Sequence, residues 1–235
     1  MVMARTTELE SARVANALRE DIMLGRRQPG SRLVERDIAA ELQVSRLPVR
    51  EAIKALVADG IVVARPRTWA VVREFSVHDL QDFAEVREAM ETLAFVLATQ
   101  RADDAGLRML ESLIDREESA ASEGDVDASR TASAMFHITA VGLAENAMLT
   151  ELAASLVTRL RWLFGQHVEL SHMVSSHRVI LAAMRRRDVD AIRRLIPEHL
   201  AYGRAAAERR LLERVREGAQ HPEKPKRPEH RGHAR

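Results

Sequence analysis

Three of the nine histidines, His137, His177 and His199, sit inside apolar helical stripes. Phe136, Ile138 and Val141 surround the first, Val179, Ile180 and Leu181 follow the second, and Leu195, Ile196 and Leu200 surround the third. A single histidine on such a face is most simply a hydrogen-bonded core residue. Three of them on three helices of one bundle can meet where the helices face each other, and three imidazoles make a site for Zn, Ni, Mn or Fe with open positions for an oxygen ligand. A second chemistry is cationic. Arg46 and Arg50 lie one helical turn apart, Arg36 and Lys54 extend the same stripe, and Arg65 and Arg67 flank a proline. Arginines so placed near a helix N-terminus reach phosphates or guanine O6 and N7 in a major groove. On the inner face of a later helix, Arg87 suits an anionic ligand, or else pairs with Glu91 one turn on.

Composition narrows the partners. The chain has 235 residues, 46% of them hydrophobic, enough for one or two domains with cores of their own. Its net charge of +1 means that any affinity for nucleic acid must come from local charge. Residues 1–75 are net +3, residues 76–215 net −5 and residues 216–235 net +3. Aromatics make up 3% of the chain, too few for the stacking platforms that bind single strands, so duplex DNA is favoured. With no cysteine there is no disulfide, thiolate metal site or thiol nucleophile, which fits a reducing cytoplasm. No stretch reaches the ~18 apolar residues of a membrane span, and the first ten residues lack the apolar core of a signal peptide.

The elements that would position these residues can be read from periodicity. Leu9, Val14, Leu18 and Ile22 mark a first helix, stopped by Gly25 and Pro29-Gly30. Leu33, Ile38, Ala39 and Leu42 mark a second, and Val49, Ala52, Ile53, Leu56 and Val57 a third. Gln43-Val44 makes the turn between them, Ser45 is a good N-cap, and Pro48 occupies the first turn, where a missing N–H costs nothing. Residues 61–73 carry the only β signal, β-branched runs on either side of Arg65-Pro66-Arg67 that predict a two-stranded wing. From Val77 to about Val215 the pattern is helical throughout, with breaks near 102–103, 123–124, 145–146 and 188, predicting a bundle of about six helices. Ser76 can cap its first helix. The fold class is therefore mainly α: a winged helix-turn-helix over residues 1–75, an all-helical bundle over 76–217, and a Pro- and charge-rich tail over 218–235 for which disorder is expected. The run Arg185-Arg186-Arg187 complements a helix C-terminus.

The segment VSRLPVREAIKALVADGIV (residues 44–62), preceded by Pro29-Gly30, Leu33, Glu35 and Ile38-Ala39, resembles the winged helix-turn-helix of GntR-type bacterial repressors. That resemblance implies that Arg36, Ser45, Arg46 and Arg50 contact DNA; Pro48, Lys54, Arg65 and Arg67 complete the candidate set. Leu47 stands where the family usually has Thr, and Trp69 where it usually has a wing glycine. Downstream, Val86-Arg87 with Glu91, Phe136-His137 with Asn146, Ser176-His177 and Asp188 to His199-Leu200 resemble the FCD effector domain of the FadR-like branch. The resemblance implies a small-carboxylate effector and a divalent metal held by His137, His177 and His199, and reading a palindromic operator with two recognition helices about one helical turn apart requires a homodimer. The resemblance also implies an aspartate ligand four residues before the first histidine, where this chain has Ser133. A hydroxyl is a poor ligand, so affinity is reduced or coordination is completed by water, effector or another acid. Arg87 and Asn146 are the effector-binding candidates, with His167 a further lining residue. Two other classes stay open. One is a three-histidine metal hydrolase or lyase, for which the sequence offers no HExxH, nucleophile elbow or evident general base. The other is a constitutive DNA-binding protein with a vestigial pocket.

Overall fold

The structure, a computed structural model, describes residues 2–65, 69–164 and 169–220. Arg67 and His167 lie outside the described residues, as does most of the expected tail. Within them the chain is mainly helical: α1 (Val2–Met23), α2 (Glu35–Glu41), α3 (Arg46–Ala58), α4 (Val77–Arg101), α5 (Asp104–Glu123), α6 (Val126–Leu143), α7 (Ala147–Phe164), α8 (Leu170–Arg185) and α9 (Val189–Gln220). The last helix includes residues 218–220, which the sequence places in the tail. None of the helices is long and apolar enough to cross a membrane among the described residues.

Helices α1 to α3 close around Val14, Leu18, Ile22, Ile38, Val49 and Leu56. Ala39 lies in that core too, a small side chain that lets α2 and α3 approach. Gln43 makes the turn in the left-handed region, at φ 53°. Ser45 is the N-cap residue of α3, but its hydroxyl makes no cap hydrogen bond. Pro48 is buried, so it shapes the first turn of α3 and cannot itself face DNA.

The wing departs from the expected hairpin. Its strands are β2 (Val62–Val63) and β3 (Ala70–Val72), and a third, β1 (Arg32–Leu33), pairs antiparallel with β3 to give the order β1-β3-β2. Two residues are too few for an alternation to be legible, yet they tie the segment before α2 to the wing. Arg32 thereby comes under Trp69, its guanidinium 4.1 Å from the ring centroid.

Ser76 caps α4 in a capping box with Asp79, each side chain bonding the other's backbone N–H. Phe95, Leu110, Ile114, Phe136, Ile180, Ile192 and Ile196 fill the bundle core. The breaks fall where glycine and acidic caps permit: Asp103 caps α5, left-handed Gly124 ends it, and Asp125 caps α6. A further break, between Phe164 and Leu170, carries only one glycine as a signal. The arginine run acts on a different helix end from the one expected. Arg187 donates at 2.6 Å to the carbonyls of Thr99 and Ala102 at the end of α4, while Arg185 pairs with Glu111.

Candidate functional site

The first site is the cleft of about 620 Å³ between α3 and the wing, lined by Arg36, Arg46, Arg50, Arg65 and Trp69. Helix α3 begins at Arg46, which puts Arg46 and Arg50 on its exposed first turns. Glu35, the first residue of α2, receives Arg50 Nε at 3.0 Å and Nη2 at 2.9 Å, with Arg46 Nη2 at 3.3 Å. The Arg50 hydrogen bonds hold the Glu35 carboxyl below its usual range. One carboxylate thus aligns two guanidiniums towards the cleft, at positions where a phosphate could compete for them. Arg36 is exposed and bonds its neighbour Asp37 through Nε at 3.0 Å, and Lys54 pairs with Glu51 along the outer face of α3. Sequence reasoning missed Glu35 and Arg32, whose parts depend on α2 and β1 folding back beside α3.

The second site is in the bundle. His137 of α6, His177 of α8 and His199 of α9 converge with their ligand atoms all within 4.8 Å of one another. His137 Nε2 lies 3.3 Å from His177 Nε2 and 3.2 Å from His199 Nε2. The other ring nitrogens are taken: His137 Nδ1 meets Glu91 at 2.6 Å, His177 Nδ1 meets Glu117 at 2.7 Å, and His199 Nδ1 meets the Ser176 hydroxyl at 2.9 Å. A ring that donates from Nδ1 presents a lone pair at Nε2, so the carboxylate partners turn lone pairs towards a common centre. Tetrahedral Zn–N bonds of about 2.0–2.1 Å require N···N separations of about 3.3 Å, so this donor set fits a divalent cation. Ser133 is buried, but its hydroxyl bonds Glu117 and so serves the carboxylate that orients His177.

Arg87 is also largely buried, and its Nε donates to Glu91 at 2.6 Å. The Glu91 pairing weighed from the sequence is therefore present, and Glu91 bridges Arg87 to His137. Asn146 caps α7, accepting from Leu149 N–H at 3.1 Å, which is a structural task. Glu117 was missed, although its spacing from Leu110 and Ile114 on α5 places an acid squarely on a buried stripe.

The electrostatics follow from burial. Burial alone would raise the Glu91 carboxyl, but Arg87 and His137 beside it hold it far below the ordinary carboxylate range. Burial pushes Glu117 up to about 7 against the pull of His137, the Ser133 hydroxyl and Arg178. Burial drives both His177 and His199 well below 6.5, with neighbouring histidines adding to it. For these depressed histidines, stability present above pH 6.5 is lost as pH falls; raised Glu117 acts in the opposite sense, since its folded form keeps a proton that the unfolded form releases. Between about pH 5 and 6 the unfolded chain thus binds more protons than the folded chain across these three groups, and without metal their joint contribution to stability falls as the pH is lowered. Urea unfolding of chelator-treated protein across this window should show that loss on acidification. A His199→Gln chain should show a flatter dependence.

Comparison with known proteins identifies the family. Residues 10–72 match the model of bacterial regulatory proteins of the gntR family, and residues 82–202 match the FCD domain. The Nta operon transcriptional regulator of Aminobacter aminovorans is 33% identical over 167 residues, covering 68% of this chain and 78% of that protein. The probable D-xylose utilization operon transcriptional repressor of Paenarthrobacter nicotinovorans is 29% identical over 205 residues, covering 84% and 90%. Among solved structures, Escherichia coli McbR/YncC superposes with a TM-score of 0.73 over 86% of this chain and 98% of its own at 23% identity, a likeness of fold. The GntR structure from Rhodococcus sp. RHA1 gives 0.69 at 27% identity, covering 86% and 97%. The families matched are those of transcriptional regulators and not of enzymes. This chain belongs to the gntR family of bacterial regulatory proteins, carries an FCD domain, and is a transcriptional regulator.

Proposed function

We propose that this regulator binds a palindromic operator in the cytoplasm as a homodimer, and that a small carboxylate in the bundle controls its affinity. The observation that carries the reading is the meeting of three buried Nε2 atoms beside the Arg87–Glu91 pair. His137, His177 and His199 would hold a divalent cation such as Zn, Ni or Mn. When bound, the ion supplies a Lewis-acidic centre for a carboxylate oxygen. Glu91 and Glu117 keep the rings in register, and Arg87 adds positive charge on the side of His137. A homodimer follows from the task, because two recognition helices must sit roughly 34–36 Å apart to read both halves of a palindrome. Repression is supported by relatives named as repressors.

Selection of duplexes from a random pool with the full chain should enrich a dyad-symmetric site. One member of a panel of mono- and dicarboxylates, added with zinc, should then shift the affinity for that site by about 5- to 150-fold, the usual range of coupling between two sites. An enriched site whose affinity no carboxylate moves would replace this reading with constitutive binding. Failure to enrich any sequence would remove the operator altogether.

A further inference from the structure

One contact joins the two halves of the chain in a way that neither site explains. Trp162, near the end of α7, is buried in the core of the winged domain together with Val14, Leu18 and Leu56, not in the bundle core. Its ring lies 5.1 Å from Phe75 in an edge-on arrangement, and Phe75 meets Phe83 of α4 at 6.3 Å. One turn before Trp162, Arg159 donates from Nε to the Asp59 carbonyl at 2.9 Å and crosses the Phe83 ring at 5.3 Å. Asp59 is the C-cap of α3, and its carboxylate takes both Nε and Nη2 of Arg19 from α1.

Gly60 forms the socket for this arginine. It has φ 73°, and a Cβ there would come within 2.5 Å of Arg159 Nε. A guanidinium at a helix C-terminus satisfies a terminal carbonyl and complements the helix dipole. Helix α3 is thus held at one end by an arginine of the bundle while its other end carries Arg46 and Arg50. The far end of α7 packs on two of the helices that build the histidine site. Leu149 packs on Ala94 and Ala144 with Met90 and Val141, residues of α4 and of α6 with its C-cap, the helices that carry Glu91 and His137. Ten residues of helix, about 15 Å, separate Leu149 from Arg159. Elsewhere α1 and α6 stand apart across a cleft of about 880 Å³ lined by Arg19, Met23, Arg130 and Ile138.

We propose that α7 is the transmission rod between the histidine site and the recognition helix, with Arg159 and Trp162 as positioning residues that fix the winged domain on the bundle. The proposal rests on the reading that a ligand in the bundle controls DNA binding. Movement of α4 and α6 on loading reaches Asp59 and Gly60 through Leu149 and Arg159, and α3 tilts as a unit because its end is clamped.

Hydrogen exchange on the full chain separates the rod from that reading. Without ligand, Arg159→Ala should speed exchange at Asp59, Gly60 and Ile61 by about tenfold, the size expected for losing a hydrogen bond to a charged donor, and leave α5 and α8 unchanged. Trp162→Phe, which keeps an aromatic ring in the plug but leaves a small cavity, should disturb these amides less than Arg159→Ala does. Added zinc sulfate, its binding followed by titration calorimetry on the same sample, should then change exchange at Asp59 to Ile61 in the parent but not in Arg159→Ala. A merely structural arginine would not carry that zinc response. Unchanged exchange in Arg159→Ala overturns the rod, as does zinc that binds the parent without any effect on Asp59 to Ile61. Zinc that does not bind at all overturns the reading of the bundle on which the rod rests, and the rod with it, while the ligand-free comparison then tests only the clamp of Arg159 on Asp59.

Discussion

A chain carrying both Arg46→Ala and Arg50→Ala binds its selected operator about 30-fold to 10⁴-fold more weakly than the parent, since a guanidinium that reads a base edge is worth roughly 1–3 kcal/mol and the two act on neighbouring positions. The structure adds a reason for an effect towards the upper end. Glu35 now neutralises both arginines, and once they are gone its charge faces DNA phosphate. Lys54→Ala should behave differently. Paired with Glu51 on the outer face of α3, it should weaken all duplexes alike and lower the salt slope by about one. Fluorescence anisotropy with specific and scrambled duplexes at several salt concentrations distinguishes the two. Equal loss on both duplexes for the double variant would show that α3 only grips the backbone.

Glu91→Ala should destabilise the chain by about 3–5 kcal/mol, because it withdraws the carboxylate that compensates a buried guanidinium and orients a buried imidazole. Restoring an apolar fit with Arg87→Met and Glu91→Leu together should recover much of that loss, since removing one member of a buried pair costs more than replacing both. The same carboxylate holds His137, so Glu91→Gln should lower zinc affinity by about 10- to 100-fold even where the fold survives. Urea unfolding and zinc titration on these chains check both statements. A loss under about 1 kcal/mol for Glu91→Ala would show that water, not Glu91, solvates Arg87.

Most of the architecture was legible because it rests on local signals. Pro29-Gly30, the Gln43-Val44 turn and the apolar spacing of α2 and α3 specify a helix-turn-helix within thirty residues. Ser76 as a cap and the breaks near 102–103 and 123–124 mark where bundle helices begin, and the structure puts the acidic caps Asp103 and Asp125 at those breaks. The three histidines were legible for the same reason, each being odd within its own stripe. What was not legible is non-local. Strand β1 exists only because β3 passes beside Arg32 and Leu33. Trp162 reads as one more apolar residue of a bundle helix until α7 is seen to pass beneath the winged domain. Glu91 read as the helical neighbour of Arg87, since nothing in the chain says that His137, 46 residues on, arrives at its other oxygen. Ser133 looked like a missing ligand, and its bond to Glu117 depends on how α5 and α6 pack.

The meeting of three imidazoles is tested most directly by one measurement: the zinc content of the chelator-stripped, zinc-reloaded chain beside His177→Ala, by elemental analysis after exhaustive dialysis. One zinc per chain, lost in the variant while its circular dichroism is kept, is the result expected from the three Nε2 atoms and their carboxylate partners. Equal zinc in both chains, or none in either, would contradict it and leave the histidines as a hydrogen-bonded part of the core.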